Sequence, residues 1–581
     1  LISQEFSRGS IKLLFVAPIT SRHIVLGKFL GMMMYGLLMF SVLLVYVILG
    51  RCWIESFDWA AVLTGLLGLY LLFGTYAAIG LFMSTLTTYP IVAAIYMLAL
   101  LTFLRFVSGL WQEYTFVRDI TYWLALDRRA GTFINGMICS EDFLYFVIMT
   151  AMFLGFAILK LQFIRERRSM LSKVGRFLGV FIVAMLLGYV TSRPTLRFYH
   201  DSTHTKTNTL TEASQEIVSK LDGGLKMTTY VNLFGSIYNI TPAKVMADIA
   251  RYNSYIRFKP ETKMDYVFYY YTDTTDGFFA HRFAGKTLSE AAKEMAKFQG
   301  VNAKKYVPLS KVDPDVDLRD EGYRFVVLLE RENGEKTFLR VFNDAQRVPF
   351  ETEISAALKR IGMKLPSVGF LSDHYARTIT GDRNRDYSYM VSEKLYRSAL
   401  INQGFDVVDV KLSRNPQLLD SLDVLVVSEP REPFSEEELD KLYRYVESGK
   451  NLIIAGKPRT NSYLAPLMKK LGLRFEPGIL VQKQDQIADK NTASMPSARG
   501  AGGGPGALGQ AEEREYPVSL FLCRATDEAK GLSKLWDDLY IKTNHPEWPY
   551  SIVMPEASAV LQVEDKGFRV TPLLVGRDPS S

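Results

Sequence analysis

Apolar residues crowd the first third of the chain in runs too long for the core of a water-soluble domain. A membrane-crossing helix needs about 20 mainly apolar residues. Residues 29–50 meet this without a single charge, and 59–104 is equally free of charge but too long for one helix. The polar break Ser84-Thr85-Leu86-Thr87-Thr88-Tyr89-Pro90 divides that run into two spans. Residues 143–159 form a fourth, and 174–190 a shorter fifth in which Arg176 can snorkel to the interface. About five spans are therefore expected, followed from residue 192 onward by sequence patterned like soluble protein.

In that second part the period shifts between strand-like and helix-like segments. Residues 192–365 predict a helix over 212–221, a strand over 226–233, a helix over 243–254 and a strand over 264–271. A helix over 288–297 and a hairpin over 323–342 follow, the latter marked by Asn333-Gly334. Ile354, Ala357, Leu358 and Ile361 give the inward face of a closing helix over 350–361. This is an α/β unit of thioredoxin-like size without a Cys-x-x-Cys pair, and so without that redox chemistry. Residues 366–490 alternate strands (367–372, 407–410, 424–428, 451–455) with helices (390–402, 435–448), the signature of a doubly wound parallel sheet. Ser435 followed by three glutamates caps the second helix. A glycine-rich linker over 491–513 precedes a β-rich piece over 514–581.

Charge adds orientation to this picture. Most of the excess behind the net charge of +7 lies beside the apolar runs, in Lys160, Arg165, Arg167, Arg168, Lys173 and Arg176. That placement argues for membrane topology and against a nucleic-acid partner. Residues 1–28 carry Arg8, Lys12, Arg22 and Lys28 against Glu5 alone, whereas loops 51–58 and 105–142 hold at least as many acids as bases. Five crossings that start inside put everything after about residue 191 outside the cytoplasm. The two basic segments then fall on one side, which is an internal check. Cys52, Cys139 and Cys523 have neither paired nor ligand-like spacing.

The opening residues carry a resemblance. Glu5-Phe6-Ser7-Arg8-Gly9-Ser10-Ile11-Lys12-Leu13-Leu14, then Ala17-Pro18-Ile19-Thr20-Ser21 and Ile24-Val25-Leu26-Gly27-Lys28, resemble the cytoplasmic segment of type-2 ABC exporter permeases. Ser10 stands where that pattern usually has Thr, and Lys12 where an acid is common. The residues agree physically: Ile11, Leu14 and Phe15 recur at helical spacing, Pro18 ends the short helix and Ser21 is placed to cap the next. The resemblance implies that Glu5, Arg8, Gly9, Lys12, Pro18, Gly27 and Lys28 belong to a segment that touches a separate ATPase subunit. Residues 131–136 and 142–145 resemble the external re-entry before the last permease span, which implies two further spans upstream of Leu1.

The whole order of elements resembles a gliding-motility ABC transporter, with a GldF-like permease fused to a GldG-like auxiliary region. Its soluble marks are the Phe350-Glu351-x-Glu353-Ile354 helix, Leu422-Asp423-Val424-Leu425-Val426-Val427, Gly449-Lys450-Asn451-Leu452 and Val553-Met554-Pro555. The resemblance implies a multi-pass protein of the bacterial inner membrane, part of an oligomer and truncated at the N-terminus and at the C-terminus. It would serve export, with an extracytoplasmic region for a substrate or an envelope partner. The alternative from another class is a membrane-anchored scaffold that no longer transports.

Chemistry of its own is sparse. The nearest approach to a Gly-x-x-x-x-Gly-Lys-Ser/Thr phosphate loop is Gly285-Lys286-Thr287, with Ala280 where the first glycine belongs. No cofactor is expected in this chain, ATP being used by the partner subunit. His200 and His204 lie in a Ser/Thr-rich stretch that argues against a metal-binding helix. The most site-like residues are Asp373, His374, Arg377, Asp382, Arg383 and Arg385 after the first strand of the doubly wound unit, with Glu429 and Lys457 after later strands. Carboxyl ends of such strands are where these sheets bind ligands, so these eight form the expected ligand cleft.

Overall fold

The computed structural model describes residues 2–107, 117, 121, 126–166, 169–193, 196–381, 386–480, 520–546, 550–555 and 557–576. The glycine-rich 491–513 stretch lies outside them. The chain divides into two compact units, Leu1–Met363 and Lys364–Ser581.

The first unit opens with two short helices, α1 (Ile2–Arg8) and α2 (Ile11–Val16), then α3 (Ser21–Trp53), α4 (Trp59–Leu86) and α5 (Pro90–Val107). Helices α6 (Leu126–Ile134), α7 (Ser140–Arg165) and α8 (Met170–Thr191) complete the bundle. Among the described residues α3, α4, α5, α7 and α8 are long and apolar enough to cross a membrane. The polar break spans the last residues of α4 and the start of α5, and Pro90 opens α5 where its missing N–H costs nothing. One expectation is corrected: Thr20, not Ser21, caps α3. Thr20 is extended (φ −83°, ψ 159°) and its hydroxyl accepts from His23 N–H, whereas Ser21 is already helical.

Helix ends segregate. Ser84 near the end of α4 accepts the N–H groups of Ile2 and Ser3 at 2.7 and 3.1 Å, and Arg165 at the end of α7 reaches back to Phe15 and Ile19. At the opposite end α6 leads into β1 (Met137–Cys139), which pairs antiparallel with β2 (Tyr199–Asp201) after α8. His200 therefore lies on a strand rather than a helix. Gly65 and Gly68 of α4 let α6 approach closely: a Cβ on Gly68 would stand 2.2 Å from Phe133 Cβ.

The same unit continues through α9 (Glu212–Ser219), β3 (Leu225–Asn232), α10 (Val245–Ile249), α11 (Asn253–Phe258), β4 (Lys263–Tyr270), α12 (Leu288–Phe298) and β5 (Val307–Pro308). Strands β6 (Val326–Arg331) and β7 (Lys336–Arg340) and helix α13 (Glu351–Gly362) complete it. The sheet order is β5-β4-β3-β6-β7, with β3, β4 and β5 parallel and β6 antiparallel to its neighbours. A parallel strand–helix–strand half joined to an antiparallel hairpin and a final helix is the expected thioredoxin-like arrangement. Alternation along β3 and β6 sends Met227, Val231, Val327 and Leu329 toward α9 and α13, and Tyr230, Val326 and Leu328 to the other face. The helix expected over 243–254 is broken by a 3-10 turn at Ala250–Tyr252. Residues three apart eclipse in that geometry, and Arg251 Nη1 comes to 3.5 Å from buried Asp248.

The second unit contains β8 (Ser367–Leu371), β9 (Asp406–Val410), β10 (Val424–Ser428), α14 (Glu436–Glu447), β11 (Asn451–Ala455) and α15 (Asn461–Lys470). All neighbours in the sheet β11-β10-β8-β9 are parallel. Leu371, Leu425 and Val427 pack with α14 and α15 on one face, while Val368, Phe370, Val424 and Val426 pack with the 379–405 segment on the other. The sheet is doubly wound. The continuous helix expected over 390–402 does not form: the helix stops at Val391, and a 3-10 turn follows at Leu400–Asn402. Asn402 Nδ2 donates to the carbonyls of Glu393, Lys394 and Tyr396 at 3.4, 3.2 and 2.9 Å. A side-chain amide thus takes the place of the helical ladder. Beyond α15, β12 (Leu473–Phe475) pairs with β15 (Val560–Gln562), and β13 (Leu520–Ala525) lies between β14 (Ile552–Pro555) and β16 (Leu574–Gly576).

Candidate functional site

Two places gather the residues that the sequence singles out. The first is the basic end of the bundle. Ile11 is buried and Leu14 and Phe15 pack on the membrane core, so α2 lies with its apolar face inward. Glu5 and Lys28, 23 residues apart, form an ion pair that ties α1 to α3. Arg165 fixes the turn after α2, donating to Phe15 and Ile19 carbonyls at 2.9 and 3.1 Å with its guanidinium 5.2 Å from the Phe15 ring. Nothing lies within 4 Å of a Cβ built at Gly9. Its φ of +72° is what requires glycine, since the chain turns between α1 and α2 in the left-handed region. Pro18 and Gly27 are exposed, and Gly27 likewise has no close neighbour. Arg8 and Lys12 are exposed beside Leu13 and Val16, which are 76% and 86% accessible. Six of the seven segment residues thus divide by role: Glu5 and Lys28 brace, Gly9 and Pro18 turn, and Arg8 and Lys12 present charge. Ser84 and Arg165, which hold the segment, carry no local signal beyond a polar break and a basic cluster.

The second place is the switch point of the doubly wound sheet, between β8 and β10, where consecutive connections run in opposite directions. Three non-glycine residues there have left-handed backbone, His374 (φ 59°), Tyr375 (φ 50°) and Glu429 (φ 47°). Such conformations cost of order 1–3 kcal/mol each and cluster at functional sites. Arg377 Nη2 lies 2.8 Å from buried Glu429 Oε1, with Lys457 Nζ at 3.7 Å from the same atom. His374 Nε2 stands 3.2 Å from Glu438 Oε1, and its ring meets Phe434 edge-on at 4.5 Å. Burial alone would push the Glu438 carboxyl up, but the Ser435 N–H and hydroxyl, together with His374, hold it below the ordinary range. Tyr387 hydroxyl and Ser428 Oγ are 2.7 Å apart, and the Arg377 guanidinium covers the Tyr387 ring at 5.1 Å.

The expected cleft is thus brought together in part. His374, Arg377, Glu429 and Lys457 converge, while Asp373 instead accepts from Ser413 N–H and hydroxyl at 3.1 and 3.0 Å and secures the loop after β9. Asp382, Arg383 and Arg385 lie outside the described residues. Glu438, Tyr387 and Ser428 join the cluster without having been expected, because their reach across it depends on strand order. Gly285-Lys286-Thr287 leads into a helix cap: the Thr287 hydroxyl accepts from Glu290 N–H and the Glu290 carboxylate from Thr287 N–H.

Comparison with known proteins agrees with this layout. Residues 1–116 match the family described as ABC-2 family transporter protein, and residues 365–581 match that described as ABC-type uncharacterized transport system. No curated protein and no solved structure matches the chain. The two family matches support a membrane subunit of an ABC transport system, and an ABC-2 permease implies pairing with an ABC ATPase. With the five span-capable helices, they support a multi-pass membrane protein.

Proposed function

We propose that this chain is the permease and auxiliary subunit of a gliding-motility-type ABC exporter, driven by a separate ATPase that docks on residues 5–28. In this reading residues after about 191 are extracytoplasmic and bind a substrate or envelope partner, with the β8–β10 switch point as the contact surface. The observation that carries the reading is the braced α1–α2 segment. The Glu5–Lys28 pair and the Arg165 clamp fix its position, while Arg8, Lys12, Leu13 and Val16 stay exposed. A fixed, amphipathic, cationic surface is what transmission of an ATPase stroke requires.

Arg8→Glu reverses a charge at that surface without touching the spans. Insertion and expression should be unchanged, while copurification of the ATPase and transport-linked stimulation of ATP hydrolysis fall. A rim charge is worth about 1 kcal/mol, roughly fivefold, and a desolvated one several kcal/mol. Wild-type binding and stimulation in Arg8→Glu would remove Arg8 from the coupling surface. Unchanged assembly after deletion of residues 5–18 would favour a non-transporting scaffold.

A further inference from the structure

At the end of the bundle away from α1 and α2, four segments enclose a polar cavity of about 290 Å3. Its charged walls are Arg129 on α6, Glu141 and Asp142 in the first turn of α7, Arg197 after α8, and Arg257 on α11. Arg129 Nη1 donates to Glu141 Oε1 at 3.1 Å and to Asp142 Oδ1 at 2.6 Å, and Arg197 Nε lies 2.9 Å from Glu141 Oε2. Arg257 stands apart from those acids. Its Nη1 donates to the Asn208 carbonyl at 3.0 Å and its guanidinium lies 5.0 Å from the Tyr199 ring.

Three guanidiniums thus face two carboxylates among the lining residues, and one positive charge is left without a counter-charge. Arg129 is 8% exposed, and its Nε has no hydrogen-bond partner among the described residues. Arg257 is half-buried, and a guanidinium without a paired carboxylate at a polar cavity is a place where an oxyanion can supply the missing charge. Guanidiniums suit planar or tetrahedral oxyanions, which accept two parallel N–H bonds. The volume far exceeds the ~10–15 Å3 that one water needs. The cavity lies at the start of α7, the first turn of a span-capable helix.

We propose that this cavity binds a phosphate group, with Arg257 as its principal donor and Arg129 and Arg197 lining the site. A free phosphate and the phosphodiester of an anionic lipid share that chemistry. The full-length protein is titrated with inorganic phosphate at constant ionic strength, and in parallel reconstituted in nanodiscs of phosphatidylglycerol or phosphatidylcholine, following the apparent Tm. Phosphate-dependent stabilisation identifies a free anion. Stabilisation by phosphatidylglycerol over phosphatidylcholine alone identifies a headgroup. Arg257→Gln should weaken the effect at least tenfold in midpoint while keeping the Arg129–Asp142 pair. Asn253→Asp, which adds a carboxylate to the lining without removing a cation, should do the same and serves if Arg257→Gln fails to fold. No stabilisation by either source overturns the proposal, as does stabilisation undiminished in a folded variant.

Discussion

At the residue scale, a single buried carboxylate can organise the turn around it through local donors. Asp201 is an example. It is 7% exposed, and its carboxylate accepts from Thr203 N–H and hydroxyl at 3.0 and 2.7 Å and from Asn208 N–H at 2.9 Å. Burial pushes its pKa up, but these donors outweigh burial and hold it below the ordinary carboxyl value. A depressed pKa stabilises the fold fully above the unfolded value of about 3.9, and that contribution is lost as pH falls through the folded one. Asp201→Asn should therefore lower the apparent Tm at neutral pH, by the equivalent of about 1–3 kcal/mol for donors left unmatched. The gap from wild type should close on acidification below about pH 4. Equal melting at neutral pH would show that the 201–209 turn does not depend on this charge. The Ser/Thr-rich run around His204 is, in the fold, the donor set for this carboxylate.

At the element scale, what the sequence showed and what it hid follow from the range of the interactions. Spans were legible because a charge-free run of about 20 residues has few alternatives. The parallel sheet was legible because strands and helices alternate with short connections. The helix over 390–402 was misread because three carbonyls there are taken by the Asn402 amide, a competitor invisible to periodicity. Four of the seven switch-point residues were legible, since residues following strands must sit at carboxyl ends. Glu438 and Tyr387 were not, because their place depends on which strands are neighbours. Close helix contact was equally hidden. Gly68 lies among many small residues in α4, yet a Cβ there would meet Phe133 Cβ at 2.2 Å, whereas one at Gly31 of α3 meets nothing within 4 Å. Small residues let membrane helices approach, and overpacking costs typically about 1–3 kcal/mol. Gly68→Ala should lower the apparent Tm in detergent while Gly31→Ala leaves it unchanged. Matching behaviour of the two variants would mean that α4 and α6 do not pack through Gly68.

At the scale of the whole molecule, the helix ends supply an argument that charge counting alone does not. Ser84, Arg165 and the α1–α2 segment meet at one end of the bundle, while Ser192 Oγ donates to Glu141 at the start of α7 at the other. Helix α8 therefore runs from the first end to the second, and the chain leaves the bundle opposite the point where α1 and α2 lie. Arg8, Lys12, Arg22, Lys160, Arg165 and Lys173 all flank the first end, and basic flanks face the cytoplasm. The expected consequence is that residue 169 is cytoplasmic and residue 448 is not. Both Ser169 and Ser448 are exposed, so either position as cysteine can react wherever the reagent reaches. Cys52, which is exposed, and the buried Cys139 and Cys523 are replaced first. Ser169 caps α8 through Ser172 N–H, so Ser169→Cys is expected to cost about 1 kcal/mol, too little to disturb a 22-residue helix held by the bundle. In intact cells with a permeabilised outer envelope, an impermeant maleimide should label Ser448→Cys and spare Ser169→Cys until the inner membrane is opened. The reverse pattern would put the basic end outside, where no ATP-driven subunit could reach α1 and α2. The coupling reading would then fail together with the topology.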